Sequence, residues 1–370
     1  MRIAVVVYGP LDQRSGGFLY DRKVVDRLRE RGATVDVVSL PERAYLQSTL
    51  TNLATQLPRR LDGYDIVLED ELCHPSLLAV NRRITDTPVI ALVHHLRVNE
   101  QHSWLRTQVV EAIEAAFLRS VDGFVCNSTV TRDAVREYTV PEPAVVAPPA
   151  GDRFNPLEAA TIRDRASQSP LNVVAVGTVT PRKGLISLLE GLAMVDHPWQ
   201  LTVAGDTQTD PEYVSRLARR AEELALGERL SLTGRIPDAQ LAELMSDSQL
   251  MVLPSVREGF GIAYLEGMAF GLPAIATDNG GATDFVTHGE NGYLVAPSDS
   301  AAIADHVSRV AADRELLTTL SMGALDTFQT HPGWADTGDA VYSFLSNLAT
   351  GQSEPTPPGP AGEAHTRVSE

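Results

Sequence analysis

Cysteine is almost absent from this chain: 370 residues carry two, Cys73 and Cys126. They lack metal-ligand spacing, one disulfide is the most they can form, and nothing points to an oxidising compartment. Positive charge is also scarce, with 31 Lys+Arg against 48 Asp+Glu and a formal net charge of -17. That balance argues against nucleic acid as partner, because phosphate contacts need clustered cations. No apolar run approaches the length of a membrane span. Met1–Tyr8 is too short for a signal peptide and reads as a first strand, so a cytoplasmic chain is expected. There is no Gly-x-Gly-x-x-Gly, so a nicotinamide-type fingerprint is not supported. There is also no pair of aspartates spaced Asp-x-Asp.

What is present fits a large folded chain. Apolar residues are 43% and charged residues 21%, and the length suggests two domains. The charge is uneven. Residues 1–150 hold 17 Lys+Arg and 19 Asp+Glu, a net of -2, whereas residues 151–370 hold 14 and 29, a net of -15. The near-neutral first half is where a partner or a membrane surface would be met, although such charge usually only sets solubility.

The chain is organised around Glu258-Gly-Phe-Gly-Ile-Ala-Tyr-Leu-Glu266. An apolar run, Leu250–Pro254, reads as a buried strand before it, and helical spacing from Gly261 to Phe270 stops at Gly271-Leu-Pro273. Glu258 is therefore expected in a strand-to-helix loop, and Glu266 more than a turn into the helix. Gly259 and Gly261 let backbone N–H groups approach a ligand, and a helix start attracts anions. Carboxylates flanking an anion site make sense when the same ligand also offers vicinal hydroxyls. A phosphate with two diols describes a nucleotide sugar.

Glu-x7-Glu followed by Gly-Leu-Pro resembles the signature of family-4 retaining glycosyltransferases. The resemblance implies the GT-B fold: an α/β chain with two Rossmann-like domains facing across a cleft, and a C-terminal helix crossing back to the first. It implies that Glu258, with Gly259, Phe260 and Gly261, meets the donor sugar and that Glu266 binds the ribose diol. Domains are expected at 1–150 (acceptor side) and 151–334 (nucleotide sugar), with the crossing helix at 335–349 and a Pro/Gly/Ser-rich, disordered tail at 350–370. The breaker-rich segment Pro148–Pro156 resembles the family's hinge.

Further residues follow along the chain. Gly16-Gly17, after the first strand, is similar to the family's N-terminal glycine loop facing the donor. Arg22, Lys23, Arg27, Arg29 and Arg31 interleave with acids on the following helix and read as a solvated face. Asp65–Leu68 and Pro88–Val93 read as parallel strands whose ends carry Glu69-Asp-Glu71 with His74, and His94-His95 with Arg97. Ligands of open α/β sheets sit at such ends. By resemblance His94 lies near the donor sugar, with His95 one step off. Glu71, His74, His95 and Arg97 are acceptor candidates. An amphipathic helix is expected from His102 to Ser120. In Gly177-Thr-Val-Thr-Pro-Arg-Lys-Gly184, Lys183 matches the family lysine that holds the donor diphosphate. The family arginine is replaced by Thr178, and Arg182 is the candidate second cation. The turn Gly234-Arg235-Ile236 corresponds to the place where the nucleotide base lies. Asp238 is expected to cap the next helix, Asn279-Gly280-Gly281 to meet the donor, and Asn291–Val295 to form a hairpin-like segment.

The implied reaction moves a hexose from a nucleotide diphosphate sugar to an acceptor hydroxyl with retention. UDP-glucose is favoured and GDP-mannose is open. The acceptor is a small molecule or a lipid, with membrane contact not favoured. With no Asp-x-Asp, no metal and no cofactor are expected; Lys183, with Arg182, and helix N-termini carry the charge that grows on the diphosphate. A non-hydrolysing sugar-nucleotide epimerase and a catalytically silent nucleotide-sugar binder are the alternatives on the same fold.

Overall fold

A computed structural model describes residues 1–13, 15–99, 104–140 and 143–351. The expected disordered tail lies outside the described residues from 352 onward, as do His102 and the side chains of Trp104 and Leu105. Six strands form the first sheet: β1 (Arg2–Tyr8), β2 (Thr34–Leu40), β3 (Ile66–Asp70), β4 (Val89–Val93), β5 (Gly123–Cys126) and β6 (Ala144–Val146). All pair in parallel, in the order β2-β1-β3-β4-β5-β6. The connections carry α1 (Gly16–Glu30), α2 (Tyr45–Ser48), α3 (Gln56–Leu61), α4 (His74–Asn81), α5 (Trp104–Leu118) and α6 (Thr129–Arg136).

The pattern restarts after α7 (Ala159–Ala166). Strands β7 (Leu171–Val176), β8 (Trp199–Ala204), β9 (Leu230–Gly234), β10 (Leu250–Val252), β11 (Ala274–Thr277) and β12 (Gly292–Val295) form a second parallel sheet, ordered β12-β11-β10-β7-β8-β9. Its helices are α8 (Leu185–Leu192), α9 (Pro211–Glu223), α10 (Asp238–Asp247), α11 (Ile262–Met268), α12 (Ser300–Ala312) and α13 (Arg314–Thr330). Central strands such as β4 and β10 are apolar and buried at every position, as helices on both faces require, whereas edge strand β9 is nowhere fully buried and alternates. In each sheet the strand order reverses at one point, between β1 and β3 and between β7 and β10. The crevices that such reversals open are where ligands bind in this architecture.

The last helix, α14 (Trp334–Thr350), packs on the first domain. Its Trp334, Val341, Phe344 and Leu345 share one core with Ile3, Val5 and Tyr20. Arg27 on α1 pairs with Asp339 at 2.7 Å. The Pro148–Pro156 connection is tied to the same chain end, where Thr337 Oγ1 donates to Pro148 O at 2.6 Å and His331 Nε2 lies 2.9 Å from Pro149 O.

Several local expectations change. Asn291–Val295 is not hairpin-like: Gly292–Val295 is the parallel edge strand beside β11. Gly16 and Gly17 are the first residues of α1, which Ser15 caps by accepting from Phe18 N, rather than a loop. Asp238 is the first residue of α10, with Pro237 in the cap position. Strand β3 runs on through Glu69 and Asp70, so these acids sit inside the sheet rather than after it. The short helices α2, α3, α4 and α7 were not anticipated. Cys73 and Cys126 are buried and free.

Candidate active site

At the second reversal, β10 leads through Pro254 into the loop that carries Glu258, and β7 leads into the loop of Lys183. The Lys183 ammonium contacts Glu258 Oε2 at 2.6 Å, and Ser255 Oγ donates to the same oxygen at 3.0 Å. Arg182 stands 3.8 Å from the other oxygen, Oε1. Burial by itself raises the Glu258 carboxyl, but Lys183 and Arg182 outweigh it and hold the group below its usual range. The arrangement is an ionised carboxylate with one oxygen committed and Oε1 left for a ligand. Both cations line a cavity of about 790 Å³ between the domains, as do Glu258 and Gly259.

The glycines here have distinct reasons. Gly261 stands at φ +99°, a left-handed conformation that caps α11 and that a side chain would strain. Gly259 faces the other domain, and a Cβ there would lie 3.0 Å from the carbonyl oxygen of His94. Gly280 and Gly281 do not line the cavity; Gly280 bridges to Glu258, and Asp284 at the end of that loop accepts from Thr129 N and Oγ1 at 2.6 and 2.5 Å. That loop is therefore a tie to the first domain.

A second cavity, about 910 Å³, shares Gly16, Gly177, Thr178 and Ile262 with the first. Glu266 lies buried on α11 at its wall, with Oε1 3.3 Å from Arg153. Burial raises the Glu266 carboxyl and Arg153 opposes the rise. The same guanidinium grips Asp238. Arg235 and Ile236 line this cavity, with Arg235 held 2.9 Å from Asp206. Gly234, at φ +68°, makes the turn before them. The two cavities together offer cations at one end and a carboxylate under a broad wall at the other.

From the first domain, Gly16, Gly17, His94 and His95 line the first cavity. His94 Nε2 meets Asp21 Oδ1 at 2.8 Å, and its backbone oxygen accepts from Asn127 Nδ2 at 2.8 Å. Nδ1 is the nitrogen left for a ligand. Burial lowers the His94 pKa, but Asp21, then Asp70 and Glu71, more than reverse this and push it up to about 8. At neutral pH the ring is thus an imidazolium that donates from both nitrogens.

Glu71 and His74 are placed differently from the expectation. Both are fully buried and line neither cavity. His74 Nδ1 is 3.0 Å from Glu71 O and 2.9 Å from Glu71 Oε1, and Nε2 meets Tyr45 Oη at 2.7 Å. Glu114 on α5 accepts from Arg97 N and Val98 N at 2.6 and 2.9 Å, and the Arg97 guanidinium lies over the Tyr45 ring. These residues form a sealed network behind the cleft wall, because β3 passes straight into a short turn that folds Glu71 inward. Burial raises Glu114 to about 9 and Glu71 to about 7. Among the described residues, Asp21, Asp70 and His94, and likewise Glu71, His74 and Glu114, cluster closely enough to share an ion. In both groups a histidine nitrogen is already hydrogen-bonded within the cluster.

Asp21, Arg153, Ser255 and Asn127 are site residues that local motifs did not reveal. One signal was available: Asp21 falls one helical turn after Gly17, on the face that the glycine presents to His94, where a Cβ on Gly17 would lie 3.2 Å from the ring.

Comparison with known proteins bears on the family and the fold. The sequence pattern described as Glycosyl transferases group 1 matches residues 162–324, and that of Glycosyltransferase Family 4 matches residues 14–152. A glycogen synthase of Mycobacterium tuberculosis is 24% identical over 77% of this chain and 69% of its own length. D-inositol 3-phosphate glycosyltransferase 1 of Catenulispora acidiphila is 25% identical over 85% of this chain and 80% of its own. Among solved structures, a sucrose-phosphate synthase from Thermosynechococcus elongatus superposes with a TM-score of 0.81 at 21% identity, covering 95% of this chain and all of that one. Anabaena HepE in complex with UDP-glucose gives 0.75 at 19%, covering 94% and 100%. These likenesses are to the GT-B fold of two Rossmann-like domains.

Proposed function

The chain belongs to the family-4 glycosyltransferases, and from that premise we propose that it moves a hexose from a nucleotide diphosphate sugar to an acceptor hydroxyl with retention and without a metal. UDP-glucose is the donor we favour, in keeping with the ligand in the HepE complex; GDP-mannose is the second choice. The observation that carries the reading is the Lys183–Glu258 contact of 2.6 Å, facing His94 across one cavity.

In this reading the nucleotide lies along the second cavity, its ribose diol on Glu266 and its base at Arg235 and Ile236. The diphosphate displaces Glu258 as the partner of Lys183, with Arg182 as second cation. Glu258 turns to the hexose hydroxyls, and His94 donates to the sugar from Nδ1. As the bond from the anomeric carbon to the phosphate oxygen breaks, charge grows on the diphosphate, where Lys183 stabilises it. The acceptor oxygen bonds to the same face of that carbon, and its proton passes to the departing phosphate oxygen. Because Glu71 and His74 are sealed from the cleft and Arg97 lines neither cavity, His95 is the acceptor candidate that remains on the cavity wall.

The test is nucleotide release from UDP- and GDP-sugars with a panel of acceptors, before and after EDTA. Acceptor-dependent release that survives EDTA is expected. Loss on chelation restored by magnesium contradicts the diphosphate site, and donor epimerised without acceptor contradicts the transfer. His94→Ala is expected to keep bare-nucleotide binding and lose transfer.

A further inference from the structure

The connection between β2 and β3 is built inside out. Helix α2 continues into a 3-10 turn, Thr49–Leu53, so that residues 45–53 form one short helical run. The face it turns to the protein is polar. Tyr45 Oη meets His74, Ser48 O accepts from Ser76 Oγ at 3.0 Å, and Asn52 both donates to Pro75 O and accepts from Ala79 N at 2.8 Å. The face it turns to solvent is leucine: Leu46, Leu50 and Leu53 are 64%, 57% and 75% exposed. Their spacing of four and three places them on one side. Ordinary amphipathic helices bury that stripe. The other exposed large apolar residues among those described, such as Val140 and Met194, lie far apart in the chain.

The charge around this face is opposite to that of the chain. Residues 43–61 contain Arg43, Arg59 and Arg60 and no acid, in a protein of net charge -17. Arg83 lies against the run, donating to Asn52 O at 2.6 Å. All four arginines are exposed, and the ion pairs among the described residues leave them out. An apolar stripe with Arg43 before it in the chain, Arg59 and Arg60 after it and Arg83 against it, on a chain of net negative charge, suits one kind of partner.

We propose that this face docks the enzyme on an anionic lipid bilayer, with Leu46, Leu50 and Leu53 entering the acyl boundary and the arginines meeting headgroup phosphates. A second copy is a poorer occupant. A two-fold contact would set the arginines of one copy against those of the other, with no acid on the run to meet them. The docking is peripheral: among the described residues no helix is long and apolar enough to cross a membrane.

The experiment is co-sedimentation of the full chain with vesicles of phosphatidylglycerol and phosphatidylcholine, against phosphatidylcholine alone. Binding to the anionic vesicles, weakening with salt, is expected. The triple variant Leu46→Ser, Leu50→Ser, Leu53→Ser should lose about tenfold or more of that binding. Because those side chains make no core contact, its thermal midpoint should be unchanged or higher. Arg43→Gln with Arg59→Gln should weaken binding and flatten the salt dependence. Equal partition of wild type and triple variant overturns the proposal. So does a wild-type dimer, indifferent to vesicles, that the triple variant dissociates; that result gives the face to a second copy.

Discussion

The acids near the cleft are treated differently in the two domains. In the first, Glu69, Glu71 and Glu114 are buried among Asn81, His74 and backbone N–H groups, and burial pushes them to about 8, 7 and 9. Asp70 is raised too, by burial and by Asp21. In the second, Glu258, Glu266 and Asp206 each touch a lysine or arginine. The first domain is close to neutral in sequence and the second strongly acidic, yet the larger upward shifts of buried acids are in the first. Net charge therefore says little about the site; the partner within hydrogen-bond reach decides. An ionised pair such as Lys183–Glu258 can trade its partner for a ligand's charge. The sealed acids of the first domain cannot, because no ligand reaches them; the charge they carry, with that of Asp21, supports the His94 imidazolium instead.

The comparison breaks most visibly at Lys183. Lys183→Ala should lower kcat by about 100-fold or more, the effect of removing one preorganised charge where negative charge develops. Steady-state rates with donor titration check it; weakened donor binding at unchanged kcat would assign the lysine to the ground state alone. Glu266→Ala should weaken bare-nucleotide binding by about 1.5–3 kcal/mol by calorimetry, because a charged hydrogen-bonding partner is lost. Affinity that stays level would remove the ribose from Glu266.

On the other side, Asp21→Asn should take away the leading support of the His94 imidazolium. The fall in turnover at high pH is then expected to move down by about one pH unit, with nucleotide affinity unchanged. A pH profile identical to the parent's would show that Asp21 only fills space. A further effect concerns stability rather than turnover. Glu114 has a folded pKa raised to about 9 from an ordinary value of 4.5. Between those values the folded state binds the extra proton, so stability is greatest at the acid end of the window and is lost as pH rises through it. The slope is about 1 kcal/mol per pH unit or less. Glu114→Gln should flatten it in denaturant titrations from pH 5 to 9, and a steeper slope in the variant would mean the acid is ionised in the fold.

Much of the donor half was readable from short stretches. Glu258 and Glu266 are joined by one loop and one helix, and their spacing carries over into the structure. Lys183 is similarly local, placed by the turn between β7 and α8. The first-domain half was less readable. His94 could be placed at a strand end, but the aspartate that holds it is 73 residues away. Glu71 and His74 looked like cleft residues because they follow a strand, and a short turn folds them inside. Arg153 reaches Glu266 across 113 residues. The Asn279-Gly280-Gly281 loop resembled part of the donor site, and Asp284 at its end joins the domains through Thr129.

The order of apolar strands and helices, with glycines and prolines at the breaks, determines by itself two parallel sheets and the loops at their carboxyl ends, because strand period and turn chemistry are local properties. The residue types of the donor loops are equally local, and with them the class of ligand. Which acids keep their protons, which cation each carboxylate meets, and which face of residues 45–53 looks outward were decided only by the tertiary structure. Those depend on burial and on contacts between residues far apart in the chain, and neither is a property of any short stretch of sequence.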